Sequence, residues 1–212
     1  MIAFDGPAVL PDFLPGADFS ALRQDVLNLS GAERSYVPLH KKGGTIAYST
    51  IRRLAPGLAE FYHSRAHRQA VSEIAGVVLE PTPPSDESSL SILIYERPGD
   101  HIGWHYDHNF YRGRHFTILL AIENRGHGTD GLSASRLLVK DGDAERVIST
   151  AANTLVVFEG ARVLHKVTPI EDGERRVVLS MTYCTDPRNS AVREIARRVK
   201  DTAYFGPRVL WS

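Results

Sequence analysis

The stretch YERPGDHIGWHYD, Tyr95 to Asp107, reads as a strand, a turn at Pro98-Gly99 and a second strand. Side chains on a strand alternate with period two, so His105 and Asp107 project from one face of that second strand. A helix would splay them apart. A further stretch, HKVTPIEDGERR, begins at His165 and precedes a hydrophobic strand. It offers a third ligand. Two imidazoles and one carboxylate form a facial set that leaves coordination positions open and suits iron(II). His105, Asp107 and His165 are the expected metal ligands and catalytic centre. His101 and His115 have the wrong spacing for the distal partner, and His108 would point the other way on a regular strand.

Around these stretches the pattern is of short strands: LSILIY, HIGWHYD, FTILLAI, SRLLV, RVIST, TLVVF and RVVLSMTY, broken by turn chemistry such as Asp141-Gly142 and Gly160. Many short strands with brief loops predict a closed barrel or sandwich. The chain ahead of them is mostly helical. An edge strand is expected around Ala8 to Leu10. ADFSALRQDVLNLSG follows as a helix with Asp18 or Ser20 as cap and Gly31 after its end. Lys41 to Gly44 reads as a loop before a short strand, TIAYS. Ala55 to Ala75 is helical again, with Pro56 early, a break near Ser64 and Gly76 as terminator; His63 and His67 fall on its solvated face. Pro81 to Ser89 reads as a linker. At the far end NSAVREIARRVKDTAY is a helix expected to turn Val192, Ile195 and Val199 inward.

With the Y-x-P-G turn leading into H-x-D, and H-x-V-x-P-I-x-x-G-x-R downstream, the chain resembles the iron(II) and 2-oxoglutarate-dependent oxygenases, in particular their prolyl-hydroxylase-like branch. The resemblance covers roughly residues 90 to 184. It implies a mainly β fold with helices (α+β): a double-stranded β-helix, or jelly-roll, with helices packed on its major sheet. One oxygenase domain over 1–212 is expected, made of a mostly helical support layer (1–80), the jelly-roll core (90–184) and a C-terminal helix (188–204).

The same resemblance implies Fe(II), 2-oxoglutarate and O2. Oxidative decarboxylation of 2-oxoglutarate to succinate would accompany hydroxylation of an unactivated C–H bond. Related halogenases carry Gly or Ala where Asp107 stands, which favours hydroxylation here. The far carboxylate of 2-oxoglutarate needs a cation, and arginine offers a two-pronged fork. Motif spacing points to Arg175. Strand parity points to Arg176, because Val178, Ser180 and Thr182 then line the interior while Val177, Leu179 and Met181 pack outward. Parity is preferred. Tyr95, Thr117 and Leu119 are expected beside the co-substrate.

The run DHNFYRGRHFT places His108, Asn109, Tyr111 and Arg112 behind the metal strand, and with Ser180 and Thr182 they are the expected substrate contacts. Its layout is similar to small bacterial oxygenases acting on free amino acids, so the expected substrate is a free amino acid or a similar small polar molecule. A peptidyl hydroxylase of the prolyl type is an alternative, and would need an open groove. A non-catalytic jelly-roll sensor binding zinc is another; a structural zinc site takes a fourth protein ligand, and none has obvious spacing.

Composition is neutral on partners. Lys plus Arg and Asp plus Glu both number 25, so no net field draws the protein to nucleic acid or an anionic membrane. The single cysteine, Cys184, rules out an intrachain disulfide framework. The amino terminus does not read as a secretory signal, and no apolar run reaches the length of about 20 residues that a span requires. A cytoplasmic location is expected. The sequence leaves the oligomeric state open.

Overall fold

The computed structural model describes residues 6–29, 33–37, 41–189 and 191–205. Its first part mixes strands and helices: β1 (Ala8–Leu10), α1 (Gly16–Asn28), β2 (Glu33–Val37), β3 (Lys41–Ile46), α2 (Tyr48–Leu54), α3 (Pro56–His63) and α4 (Arg65–Ala75). Strands then dominate: β4 (Glu80–Pro81), β5 (Leu90–Tyr95), β6 (His101–His105), β7 (His115–Arg125), β8 (Leu137–Asp141), β9 (Ala144–Ile148), β10 (Leu155–Phe158), β11 (His165–Val167) and β12 (Arg175–Cys184). Helix α5 (Ala191–Phe205) ends the described chain. No helix among the described residues is long and apolar enough to cross a membrane.

The strand order β1-β10-β7-β12-β5-β3-β6-β11-β8-β9 curls into a nearly closed antiparallel barrel, as the jelly-roll expectation requires. One wall is β1, β10, β7, β12 and β5; the other is β6, β11, β8 and β9. β3 seams them, pairing with β5 through Gly44, Thr45 and Ile46 and with β6 through Lys41 and Lys42. Side-chain alternation along β12 decides what each face meets. Val177, Leu179, Met181 and Tyr183 join the large core shared with α1 to α4. Val178 instead joins a smaller core inside the barrel with Tyr95, Leu119, Val139 and Val167. Burying apolar side chains on both faces is the main stabilisation of such a sheet, at about 1.5–3 kcal/mol per large side chain.

Helix signals fell where expected at several ends. Pro56 opens α3, the Ser64 hydroxyl accepts the His67 N–H to cap α4, and Gly76 ends it in the left-handed region. Helix α1 starts after Pro15, with neither Asp18 nor Ser20 as a side-chain cap. Gly31 and the side chain of Val192 lie outside what is described.

Five expectations are corrected. Lys41 to Gly44 is strand rather than loop, because β3 pairs with β2 as well as with β5 and β6, and this overrides the poor strand propensity of glycine. TIAYS is strand only to Ile46; Tyr48 begins α2, whose first amides are met by Glu87 from the Pro81–Ser89 segment. That segment is no spacer, since Asp86, Glu87 and Ser89 are buried. Helix α5 is inverted relative to its apolar pattern: Ile195 and Val199 are 65 % and 67 % exposed, while Arg197 and Asp201 are buried. A compact ion pair decides this. Arg197 holds Asp201 at 2.5 Å and the carbonyl of Ser85 at 2.6 Å, fixing the charged stripe of α5 against the Pro81–Ser89 segment.

The fifth concerns His67, which is only 4 % exposed. Its ring sits among Phe61 at 4.4 Å, Tyr183 at 6.0 Å and Phe13 at 6.1 Å, and neither nitrogen has a hydrogen-bond partner among the described residues. Burial lowers its pKa from 6.5 to about 4. The unfolded chain therefore binds this proton first as pH falls, so stability is full above pH ~6.5 and declines toward pH ~4. Between pH 7 and pH 5 the loss from this residue is about 2 kcal/mol. Urea unfolding of His67→Phe at the two pH values is expected to show that part of the decline removed; an unchanged slope would contradict the assignment.

Candidate functional site

His105 is the last residue of β6 and His165 the first of β11, and the two are direct cross-strand partners. Their rings are 4.1 Å apart between centroids. Each Nδ1 lies against a backbone carbonyl, Gly103 O at 2.8 Å and Val163 O at 2.9 Å. A carbonyl only accepts, so each Nδ1 carries the hydrogen and the Nε2 atoms face the cavity.

Asp107 arrives by a different route from the one the period-two argument assumed. Strand β6 has ended, and the Asp107 amide donates to Gly160 O at 2.9 Å. Thr117 Oγ1 donates to Asp107 Oδ2 at 2.5 Å, which leaves Oδ1 3.6 Å from His105 Nε2 and 3.8 Å from His165 Nε2. Burial would raise the Asp107 carboxyl, but the two imidazoles override it and hold it below the usual carboxylate range. His105 is raised: burial pulls down, and the Asp107 carboxylate prevails. His165 is lowered by burial.

All three ligand atoms lie within 4.8 Å of one another, and no fourth His, Cys or carboxylate joins the group among the described residues. Metal bonds of about 2.1 Å place ligands at right angles about 3 Å apart. Contraction by less than about 1 Å brings the Asp107 oxygen to that spacing from each imidazole. Two imidazole nitrogens and one carboxylate oxygen with open positions fit the donor set of non-haem iron(II).

Gly160 was read only as a turn. A methyl group there would collide with Asp107 Oδ2 and Thr117 Oγ1. Gly160→Ala is expected to displace the carboxylate and weaken divalent-metal binding by about 10–100-fold, the range for partners that orient a ligand. Calorimetric titration with Mn(II) measures it, and wild-type affinity would refute it.

The three residues open onto a cavity of ≈ 180 Å³. Tyr95, Thr117, Leu119, Arg176, Ser180 and Thr182 all line it, and His108 stands at its rim. Arg176 is 1 % exposed and has no ion pair among the described residues, and its Nε finds no acceptor. Its guanidinium lies 5.3 Å from the Tyr95 ring centroid. The Tyr95 hydroxyl is buried without a hydrogen bond of normal geometry among the described residues. Burial raises that phenol to about 12 against the opposing Arg176 charge. Unpaired buried donors are costly, so this end of the cavity is built for an anion.

Four expected contacts are not in the cavity. Arg175 points outward, 3.0 Å from Glu123 and 3.6 Å from Glu96, as the alternation of β12 demands. Asn109 closes a turn between the Tyr111 amide and Gly113 O. Tyr111 is buried with its hydroxyl on Asp86 at 2.6 Å. The Arg112 side chain is exposed. The cavity gains Lys41, Asp86, His115 and Lys200 instead. His115 was legible, being two residues before Thr117 on β7; Lys41 and Lys200 carry no local signal.

A helix-backed antiparallel barrel with two imidazoles and a carboxylate turned inward defines the class of non-haem metal oxygenases. Residues 90–183, which carry all three ligands, match the family described as the 2OG-Fe(II) oxygenase superfamily. Members are 2-oxoglutarate-dependent oxygenases that use Fe(II), 2-oxoglutarate and O2. Solved structures agree on the fold. A prolyl hydroxylase from Trichoplax adhaerens, in complex with a hypoxia inducible factor peptide fragment, is 15 % identical with a TM-score of 0.60, over 87 % of this chain and 86 % of that one. A Pseudomonas putida prolyl-4-hydroxylase is 19 % identical with a TM-score of 0.56, over 89 % and 96 %. A 2OG-Fe(II) oxygenase family protein from Burkholderia pseudomallei is 12 % identical with a TM-score of 0.68, over 88 % of each. No curated protein matches the chain.

Proposed function

We propose that the chain hydroxylates a C–H bond of a small polar substrate, a free amino acid or a derivative, with His105, Asp107 and His165 holding the iron. The observation that carries this is the convergence of the three ligand atoms within 4.8 Å, on the same cavity as an unpaired, buried Arg176. Iron(II) bound there with 2-oxoglutarate and O2 supplies chemistry that places one oxygen atom on the substrate carbon while 2-oxoglutarate becomes succinate and carbon dioxide.

The chain's own residues set the stage. The carbonyls of Gly103 and Val163 fix the imidazole tautomers, and Thr117 fixes which carboxylate oxygen faces the Nε2 atoms. Arg176 takes the far carboxylate of 2-oxoglutarate in a charge-assisted pair, and the Tyr95 hydroxyl donates to the same group. Leu93, Leu119, Val167 and Val178 give the cavity apolar walls that exclude water.

Size supports a small substrate over a peptide. A cavity of ≈ 180 Å³ falls below the range of about 300–1,000 Å³ for drug-sized ligands. The test is succinate formation from 2-oxoglutarate with Fe(II) and O2 across free amino acids and peptides. Stimulation by free amino acids is expected. Stimulation by peptides alone would overturn the substrate class, and no succinate under any condition would overturn the reading itself.

A further inference from the structure

The end of the cavity remote from Arg176 has its own chemistry. Along β12 the register against β7 runs from Arg176 beside Asn124, through Thr182 beside Thr117, to Cys184 beside His115. Thr117 fixes the carboxylate of Asp107, and His115 lies two residues further along the same cavity-facing side of β7. His115 therefore stands past the metal ligands, on the side away from Arg176.

Its neighbours at this end already have partners within the protein. Lys200 Nζ is 2.7 Å from Ser88 Oγ, 3.0 Å from Asp201 Oδ1 and 3.6 Å from Asp86 Oδ1. Asp86 Oδ2 accepts from the Tyr111 hydroxyl at 2.6 Å, and Thr182 Oγ1 lies 2.8 Å from Thr82 Oγ1. These charges answer one another, so a charged ligand group would meet no unpaired counter-charge among them.

His115 is different. It is 5 % exposed, and neither ring nitrogen makes a hydrogen bond among the described residues. Nδ1 is sealed off, which leaves Nε2 as the nitrogen open to the cavity. Burial lowers the pKa of the ring, which is uncharged near pH 7. An uncharged imidazole carries one N–H and one lone pair, and a buried N–H without an acceptor is the harder of the two to leave unmet. The hydrogen thus belongs on Nε2, directed into the cavity. His67, just as deeply buried, makes the contrast: it sits among aromatic rings and lines no part of this cavity.

We propose that His115 binds the substrate, its Nε2–H donating to an uncharged oxygen, the carbonyl of a carboxamide or a hydroxyl. This rests on the oxygenase reading above and narrows it, from any small polar molecule to one that brings such a group to this end of the cavity.

The test is calorimetric titration of protein loaded with Zn(II) and 2-oxoglutarate, using L-amino acids in matched sets: asparagine, aspartate and leucine; glutamine, glutamate and methionine; threonine and valine. In at least one set the uncharged polar member is expected to bind about 10-fold tighter than its counterparts, the net worth of one hydrogen bond. His115→Phe keeps an aromatic ring and removes both nitrogens; it should bring the polar and apolar members to within about twofold and leave 2-oxoglutarate affinity within about twofold. His115→Gln restores a side-chain N–H and should return a preference of about threefold or more, whereas a residue that only fills space would be replaced better by Phe than by Gln. Binding by no polar member, equal binding within every set, tighter binding of aspartate or glutamate, a preference that survives His115→Phe, or no recovery in His115→Gln would overturn the proposal. Failure of the wild-type protein to bind 2-oxoglutarate would instead overturn the oxygenase reading, so the two failures are separable.

Discussion

Asp107→Ala is expected to abolish substrate hydroxylation and weaken divalent-metal binding by more than about 100-fold, the upper end for changes that merely reorient a ligand. The carboxylate is the one anionic member of the set, so its loss leaves two neutral imidazoles to hold a doubly charged ion. Thr117 and the Gly160 carbonyl stay in place, since Asp107 meets Gly160 through its backbone amide, which alanine retains. The barrel should keep its fold. Mn(II) titration and succinate assays, with circular dichroism as the folding control, measure the three parts. Wild-type turnover would remove Asp107 from the ligand set and leave the site unexplained.

Arg176→Met is expected to raise the 2-oxoglutarate concentration needed for half-maximal rate by about 100-fold, from a loss of 2–5 kcal/mol when one partner of a buried charge pair is removed. Arg175→Met should change it by less than about twofold, since that side chain pairs with Glu123 and Glu96 outside the barrel, where such pairs contribute only about 0–1 kcal/mol. The ligand-free protein adds a second signature. An unpaired buried guanidinium is a cost in the absence of ligand, so Arg176→Met should unfold no earlier than wild type, and its stabilisation by added 2-oxoglutarate should vanish. An equal effect of the two arginines would show that alternation along β12 does not select the binding cation.

The sequence disclosed the inner barrel better than its surroundings, and the reason is physical. Along β12 every second residue faces one of two different environments, so Arg176, Val178, Ser180 and Thr182 were separable from Val177, Leu179 and Met181 by period alone. His165 could be found because a turn and a hydrophobic strand follow it. Asp107 was identified for an incomplete reason: a loop pinned by Gly160 and Thr117 brings it to His105, where continued strand was expected. Long-range pairing was invisible. Asp201 stands one helical turn from Arg197, but nothing near them announces that the distant Ser85 carbonyl will bury the pair, and the apolar spacing of Ile195 and Val199 pointed the wrong way. The same holds for His67, whose neighbours Phe13 and Tyr183 are distant in the chain.

The seam strand β3 bears on how this catalyst can be rebuilt. It hydrogen-bonds to β5 on one wall and β6 on the other, and β6 ends at His105. The stretch bearing all three ligands is therefore not a portable cassette: cut loose from the first 89 residues, it would expose raw strand edges on both walls. Grafting the motif onto another scaffold would have to bring a substitute for β3, and each choice of substitute would rewrite what stands at position 41.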